Sequence, residues 1–249
     1  VKGEGGIYSS PFKEDNRLFV GDDTGKLTAY NIKNGKRLWQ FSVQRRIVGD
    51  CAAENGIVVF GSADSTVYGV SSANGKMIWK LKTQGPVLGA VRIVNGLAYI
   101  GASDNKMRCI DTKTGKEVWE YSGVTGYIVT RPLVTDGKVI FGAWDNTLYA
   151  LDASNGSEVW KWKGGKDGMH FSPASAWPVS ANGKVFIAAP DRYLTAIDLK
   201  TGSTVWRTNA SMVRESIGMS EDGKTIFAKT MNDSVVCYST EGNTPKEVW

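Results

Sequence analysis

The chain has very few of the side chains that build metal and catalytic centres. It contains one histidine, His170, and three cysteines, at positions 51, 109 and 237. A single histidine excludes a multi-histidine metal site, and the sequence has no Cys-x-x-Cys pair, EF-hand loop or P-loop. Three cysteines cannot form a complete set of disulfides. No catalytic constellation is found, so we expect this domain not to be an enzyme.

Long apolar runs and clustered charges are also absent. No stretch approaches 18 uninterrupted apolar residues, so the sequence predicts no transmembrane segment. The formal net charge is +5, but the sequence has no run of five like charges. Lysines spread over many turns are typical of a solvated surface, and we predict no nucleic-acid partner.

Tryptophan, by contrast, recurs at a nearly constant interval. Successive members of the series are separated by 40, 40, 41, 46 and 43 residues: Trp39, Trp79, Trp119, Trp160, Trp206 and Trp249. In the first five cases a glycine lies four residues upstream. A fixed period of this length indicates a repeat architecture. We interpret these tryptophans as structural residues, because a buried indole removes a large apolar area from water.

Each repeat contains signals for four short strands. An apolar stretch is followed by an Asn-Gly or Asp-Gly turn, such as Asn55-Gly56, which favours a tight hairpin. A β-branched and aromatic run follows and ends in a small residue, as in Val58-Val59-Phe60-Gly61. A third strand follows, with a small residue such as Gly69 or Cys109 at one position, and the Gly-x-x-x-Trp element completes the unit. We expect this small residue, and the one that ends the second strand, to let neighbouring blades approach each other closely. Four strands in about 40 residues predict an all-β fold of antiparallel propeller blades.

The repeats resemble those of the PQQ-like, or quinoprotein-like, β-propeller family. The blade motif of that family reads close to Tyr-Ala-Leu-Asp-Ala-x-Thr-Gly-x-x-x-Trp. The segment from Tyr149 to Gly156, followed by Trp160, is similar to it at almost every position. The resemblance covers the whole chain and implies a fold rather than a cofactor, because many family members bind no quinone.

Six repeats account for the whole chain. We expect residues 1–249 to form one propeller domain that is part of a longer polypeptide, with a natural ring of six to eight blades. The predicted blades are 3–42, 43–82, 83–122, 123–163, 164–209 and 210–249.

The candidate ligand site follows from comparing the repeats. One position at the start of the innermost strand differs between repeats, while the structural positions stay constant: Ser10, Asp50, Ala90, Arg131, Trp177 and Ile217. In a repeat protein, positions that differ between repeats while the structural positions stay constant commonly carry the function of that particular protein. With the longest loop, 161–178, it predicts a basic funnel edged with aromatic residues for an anionic small molecule or an acidic peptide. The residues expected there are Arg45, Arg46, Asp50, Arg131, Trp162, His170, Trp177, Arg214 and Glu215.

Three functions remain open at this point. The first is a non-catalytic binding or assembly scaffold for a peptide, protein or anionic ligand. The second is an accessory propeller of a larger enzyme, for example a phosphoesterase-type hydrolase, or of a sensor. The third, suggested by the family resemblance, is a dehydrogenase that uses pyrroloquinoline quinone and calcium. The resemblance implies that such a dehydrogenase has a disulfide between adjacent cysteines over the cofactor, and this sequence has no adjacent cysteines. We predict no cofactor, and the resemblance implies a periplasmic or cell-surface location.

Overall fold

The computed structural model describes residues 4–164, 176–188 and 191–249, without the side chains of Glu215 and Ser216. The chain divides into two compact units, Val1–Arg131 and Pro132–Trp249, which we describe separately. Every regular element of the described residues is a β-strand. No helix in this part of the chain is long and apolar enough to cross a membrane. The prediction of a single domain over residues 1–249 stays a prediction.

The first unit contains three antiparallel sheets, each with its four strands in sequence order. The first sheet comprises β1 (Phe12–Glu14), β2 (Arg17–Gly21), β3 (Lys26–Asn31) and β4 (Arg37–Ser42). The second comprises β5 (Ala52–Glu54), β6 (Ile57–Ser62), β7 (Thr66–Ser71) and β8 (Met77–Lys82). The third comprises β9 (Arg92–Val94), β10 (Leu97–Gly101), β11 (Met107–Asp111) and β12 (Glu117–Tyr121).

The second unit contains two further sheets of four strands and a last sheet of three strands. Its first two sheets are β13 (Leu133–Thr135), β14 (Lys138–Gly142), β15 (Thr147–Asp152) and β16 (Glu158–Lys163), and then β17 (Val179–Ala181), β18 (Lys184–Ile187), β19 (Leu194–Asp198) and β20 (Thr204–Thr208). The last sheet holds β21 (Val213–Met219), β22 (Thr225–Thr230) and β23 (Val235–Ser239). The final residues pair with β23 through backbone hydrogen bonds, such as Val248 N–H to the Cys237 carbonyl at 2.7 Å.

The first hairpin of most sheets turns on an Asn-Gly or Asp-Gly dipeptide. In the second sheet Asn55 has φ 54° and Gly56 has φ 81°. Two successive positive φ angles define the turn that suits the right-handed twist of paired strands. The turn forces Ala52 opposite Val59, which sets the register of β5 on β6.

Five tryptophans of the series are buried, with 6 to 9% of their surface exposed, whereas Trp249 is 62% exposed. Each buried indole whose hydrogen bond is described reaches the next sheet along the chain. Trp39 donates to the carbonyl of Ser72 at 3.0 Å, and Trp79 donates to that of Thr112 at 2.6 Å. In the second unit Trp160 donates to the carbonyl of Leu199 at 3.1 Å. The tryptophan therefore joins neighbouring sheets by both packing and a hydrogen bond.

The small residue of each third strand has a different role from the one predicted. We expected it to let neighbouring blades approach each other. In fact it lies directly opposite the tryptophan of its own sheet, as Gly69 does opposite Trp79. A Cβ at Gly69 would collide with that indole ring, and the strand register shifts immediately after it. The small residue therefore makes room for the ring within its own sheet.

The glycine that ends β6 does show the predicted close approach between sheets. A Cβ at Gly61 would collide with the side chain of Val87, which is fully buried. We predict that Gly61→Ala lowers the free energy of unfolding by about 1–3 kcal/mol, because the added methyl overpacks the contact. Urea denaturation followed by circular dichroism measures the change. Val87→Ala should cost less stability in the Gly61→Ala background than in the unmodified protein; equal costs in both backgrounds would mean that this clash is not the cause.

Candidate functional site

The first unit contains a cavity along its innermost strands, which we call the inner cavity. It has a volume of about 90 Å³. Eleven residues line it, which are Arg131 and the residues at the starts of β1, β5 and β9. Its polar and ionisable lining side chains are Ser10, Asp50, Cys51, Arg92 and Arg131. The remaining lining residues are apolar. The inner cavity is therefore a small, partly enclosed space with charged groups on an apolar wall.

Asp50 connects the three strands that form the cavity wall. Its carboxylate accepts a hydrogen bond from the backbone N–H of Ser10, at 2.6 Å, just before β1. Its backbone carbonyl accepts a hydrogen bond from the N–H of Val91, at 2.9 Å, just before β9. One residue thus sets the spacing of three neighbouring strands, and its side chain is held at the cavity wall.

The charges of the inner cavity are unequal. Two arginines, Arg92 and Arg131, line it together with the single carboxylate of Asp50. Burial lowers the pKa of Arg131, the nearby Asp50 carboxylate raises it, and the positive charge of Arg92 lowers it. Arg92 and Arg131 are nevertheless both exposed residues. An added anion would be attracted to both cations, although less strongly than in a fully desolvated site.

Cys51 lines the inner cavity but is not a nucleophile. Burial, with the Asp50 charge as a second cause, raises the pKa of its thiol to about 12. The thiolate is the reactive form of cysteine, and at neutral pH this thiol is protonated. The three cysteines at positions 51, 109 and 237 are all free and buried.

The structure brings together two of the predicted ligand residues, Asp50 and Arg131. Arg45 and Arg46 lie in the loop that precedes β5, with exposed side chains. Their backbone carbonyls accept hydrogen bonds from the Ser62 hydroxyl, at 3.0 Å, and from the Ala63 N–H, at 3.0 Å. The loop that carries both arginines is therefore held against the end of β6.

The other predicted residues belong to the second unit. Trp162 is buried in its core, and its indole N–H donates to the Thr204 hydroxyl at 2.8 Å. Trp162 thus has a packing position and does not line an open surface. Trp177 and Arg214 are half-buried. His170 lies outside the described residues, as does the side chain of Glu215.

Arg92 is the cavity residue that our sequence reasoning missed. The candidate position in its repeat was Ala90, which carries no charge. Side chains alternate along a strand, so the residue two positions further on shares its face. Arg92 occupies that place in this repeat, and Phe12 and Ala52 occupy it in the previous two. Extending each candidate position by two residues would have found it.

The inner cavity is too small for a quinone: its volume of about 90 Å³ is far below the roughly 300–1,000 Å³ typical of sites for drug-sized ligands. Within the described ranges no group of three His, Cys, Asp or Glu side chains could hold a metal ion. Asp22, in a segment that resembles a calcium loop, instead accepts hydrogen bonds from its own turn, including the N–H of Thr24 at 3.0 Å.

A family model described as outer membrane protein assembly factor BamB matches residues 2–122 and 87–249 of the chain. No curated protein matches.

Solved structures share the fold at low sequence identity. BamB from Moraxella catarrhalis aligns with a TM-score of 0.78 and 18% identity over 96% of this chain and 71% of that one. The computationally designed protein Ika8 aligns with a TM-score of 0.79 and 18% identity over 94% and 70%. The quinohemoprotein alcohol dehydrogenase ADHIIG from Pseudomonas putida HK5 gives 0.74 and 14% over 96% and 53%. The predicted all-β propeller class is thereby confirmed.

Proposed function

Because the chain belongs to the PQQ-like repeat family whose matching model is described as outer membrane protein assembly factor BamB, we propose that it is a non-catalytic scaffold. It binds an acidic segment of a partner protein and works in the periplasm or at the cell surface. It uses no quinone, calcium or nucleic acid. The family supports the assembly role, and the inner cavity supports the acidic character of the partner.

The observation that carries this proposal is the unequal charge of the inner cavity. Two arginines, Arg92 and Arg131, and one carboxylate, that of Asp50, line the inner cavity. Arginine is well suited to carboxylate recognition, because its planar group can donate two parallel hydrogen bonds.

Arg45 and Arg46 add exposed positive charge to the loop that leads to Asp50. They lie four to five residues before Asp50 in the same loop, and their side chains are exposed. Exposed charges of this kind mainly speed association and make binding depend on salt, while partly enclosed charges slow dissociation. An extended acidic segment would therefore meet Arg45 and Arg46 first and place one carboxylate in the inner cavity.

A charge-reversal experiment tests the proposal. The double variant Arg45→Glu/Arg46→Glu is compared with Lys33→Glu/Lys36→Glu, which makes the same change of net charge in the exposed β3–β4 turn. The probe is a fluorescein-labelled decapeptide of alternating Glu and Ser, and fluorescence anisotropy measures its affinity. We expect the arginine variant to bind about tenfold more weakly than the lysine variant at low salt.

Equal weakening in both variants would mean that the peptide responds to net charge alone, and the proposed site would be rejected. No measurable binding to the unmodified protein would also reject it.

A further inference from the structure

The second sheet has a further cavity at its third and fourth strands, β7 and β8, which we call the outer groove. Its volume is about 340 Å³, within the roughly 300–1,000 Å³ that is typical of small-molecule sites. None of its lining residues also lines the inner cavity. Six residues with polar side chains line it: Gln44, Asp64, Thr66, Tyr68, Lys80 and Lys82.

We propose that the outer groove binds a hydroxylated carboxylate, that is, a sugar acid. Lys80 and Lys82 hold the carboxylate of this ligand, and one of its hydroxyl groups donates a hydrogen bond to Asp64. The inference goes beyond the function proposed above and does not depend on it, because no residue of the proposed partner site lines the outer groove.

The first argument comes from the same position in two other sheets. The residue two places before the repeated tryptophan is Glu117 in the third sheet and Glu158 in the fourth. Glu117 is paired with Arg108 at 3.3 Å, and Glu158 is paired with Lys161 at 3.6 Å. In both sheets this glutamate therefore supplies a carboxylate to a cation on the outer strands.

The second sheet has Met77 at this position, and methionine supplies no charge. Lys82 donates to the backbone carbonyl of Asp64 at 2.5 Å and to the Thr66 hydroxyl at 3.4 Å, which are both neutral acceptors. Within the part of the chain that the structure describes, neither Lys80 nor Lys82 is paired with a carboxylate. The carboxylate of a ligand can therefore take the place that a glutamate fills in the third and fourth sheets.

The second argument is that Asp64 has a carboxylate oxygen without a hydrogen-bond donor. The Tyr68 hydroxyl donates to Oδ2 at 2.8 Å, whereas Oδ1 is buried and has no partner in the described structure. The equivalent Asp104 accepts at both oxygens, from the Lys106 N–H at 3.3 Å and from the Gln84 N–H at 3.1 Å. A buried acceptor without a donor costs free energy, so a ligand that supplies the donor is favoured.

The donor that suits Asp64 is a hydroxyl rather than an ammonium group. The Lys82 ammonium already lies beside Asp64, and it would repel a second positive charge. Burial, with the hydrogen bond to Asp64 as a second cause, raises the pKa of Tyr68 above its ordinary value of 10, so this hydroxyl is protonated at neutral pH. Gln44 and Thr66 add further neutral hydrogen-bonding groups. The lining therefore favours several hydroxyl groups next to the carboxylate.

The experiment is a titration with sodium glucuronate, in which NMR follows the backbone amide signals of Thr66 and Lys82. Sodium acetate at the same ionic strength supplies the charge without the hydroxyl groups, and glucose supplies the hydroxyl groups without the charge. We expect saturable shifts with glucuronate, and binding of acetate and of glucose that is at least about tenfold weaker. The inference is overturned if glucuronate gives no saturable shift, or if either comparison ligand binds equally well.

Met77→Glu is the sharpest variant, because it gives the second sheet the carboxylate that Glu158 supplies in the fourth. This carboxylate should compete with the ligand for the lysines and weaken glucuronate binding by about tenfold. Met77→Gln has nearly the same size without the charge, and it should leave the affinity unchanged. Met77 is 49% exposed, so neither substitution disturbs the core. Equal affinities of the two variants would contradict the role of the lysines.

Two further variants test the individual contacts. Lys80→Gln should weaken glucuronate binding by about tenfold, whereas Lys161→Gln, at the equivalent position of the fourth sheet, should not change it. The same loss in both variants would mean that net charge governs binding, and the outer groove would be rejected as the site. Asp64→Asn should lower the affinity for glucuronate relative to acetate; an unchanged ratio would reject the contact with the hydroxyl group.

Discussion

Replacing Trp79 by alanine is expected to lower the free energy of unfolding by about 3–5 kcal/mol, as for other buried aromatic residues. The indole is 8% exposed and packs in the core of the first unit. It also covers Gly115, where a Cβ would lie 2.5 Å from its ring, and donates to the Thr112 carbonyl. The substitution leaves a cavity and removes a hydrogen bond between two sheets.

Two further variants separate these contributions, all measured by urea denaturation with circular dichroism. Trp79→Phe keeps a ring but leaves the Thr112 carbonyl without the indole donor, and should cost about 1–3 kcal/mol. Trp249→Ala removes the same side chain from a position that is 62% exposed, and should cost less than about 1 kcal/mol. Comparable losses at Trp79 and Trp249 would contradict a structural role that depends on burial.

Replacing Arg108 by leucine is expected to lower the free energy of unfolding by about 3–5 kcal/mol, because it leaves the buried carboxylate of Asp104 without its cation. The side chains of Arg108 and Asp104 are 4% and 3% exposed. The guanidinium donates to both carboxylate oxygens of Asp104, at 3.0 and 2.6 Å, and also contacts Glu117 and Glu120. Leucine has a similar apolar stem but supplies neither the charge nor the donors.

Neighbouring repeats provide the control for this variant. The second sheet has Tyr68 at the equivalent position, and its hydroxyl donates to Asp64 at 2.8 Å. The fourth repeat has Tyr149, whose hydroxyl donates to Asp145 at 2.6 Å. Arg108→Tyr should therefore recover a large part of the stability lost in Arg108→Leu. If both variants are equally unstable, the hydrogen bond to the turn aspartate is not what the protein requires.

The same network makes a prediction about acid. Burial alone would raise the pKa of Asp104, but the hydrogen bonds and charge of Arg108, with the backbone N–H groups of Gln84 and Lys106, hold it below its ordinary value of 3.8. A carboxyl with a lowered pKa in the folded state stabilises the protein above its unfolded pKa and loses that contribution as pH falls through the folded pKa. Below about pH 4 the stability difference between the unmodified protein and Asp104→Asn should therefore shrink. Denaturation series at successive pH values would measure it.

The sequence predicted the architecture well because the architecture repeats. Turn dipeptides such as Asn55-Gly56 and the tryptophan series recur, and each copy supports the interpretation of the others. The local reason for the small residue at Gly69 was predicted incorrectly, since strand register decides which ring lies above it. Pairing of side chains across a sheet is a tertiary property, and one sequence does not specify it.

The candidate site was less predictable, because its residues differ from repeat to repeat, so that no repeat confirms the interpretation of another. Comparing equivalent positions identified Asp50 and Arg131 as candidates, and both line the inner cavity. It missed Arg92, which lies two residues after the candidate position of its repeat. Trp162 was assigned to a ligand funnel from its place beside a long loop, whereas it packs against the second unit's core. In the sequence, an aromatic residue at the end of a strand looks the same whether it packs in the core or lines a ligand site.

The hydrogen bond from each tryptophan to the following sheet has a consequence during synthesis on the ribosome. The carbonyls that accept the N–H of Trp39 and of Trp79 each lie 33 residues later in the sequence. The acceptor of the Trp160 N–H lies 39 residues later. A newly made sheet therefore remains unfinished until the third strand of its successor has emerged. Folding of the nascent chain should proceed from the N-terminus with a lag of about one repeat, and a ribosome that pauses late in a repeat holds one sheet incomplete.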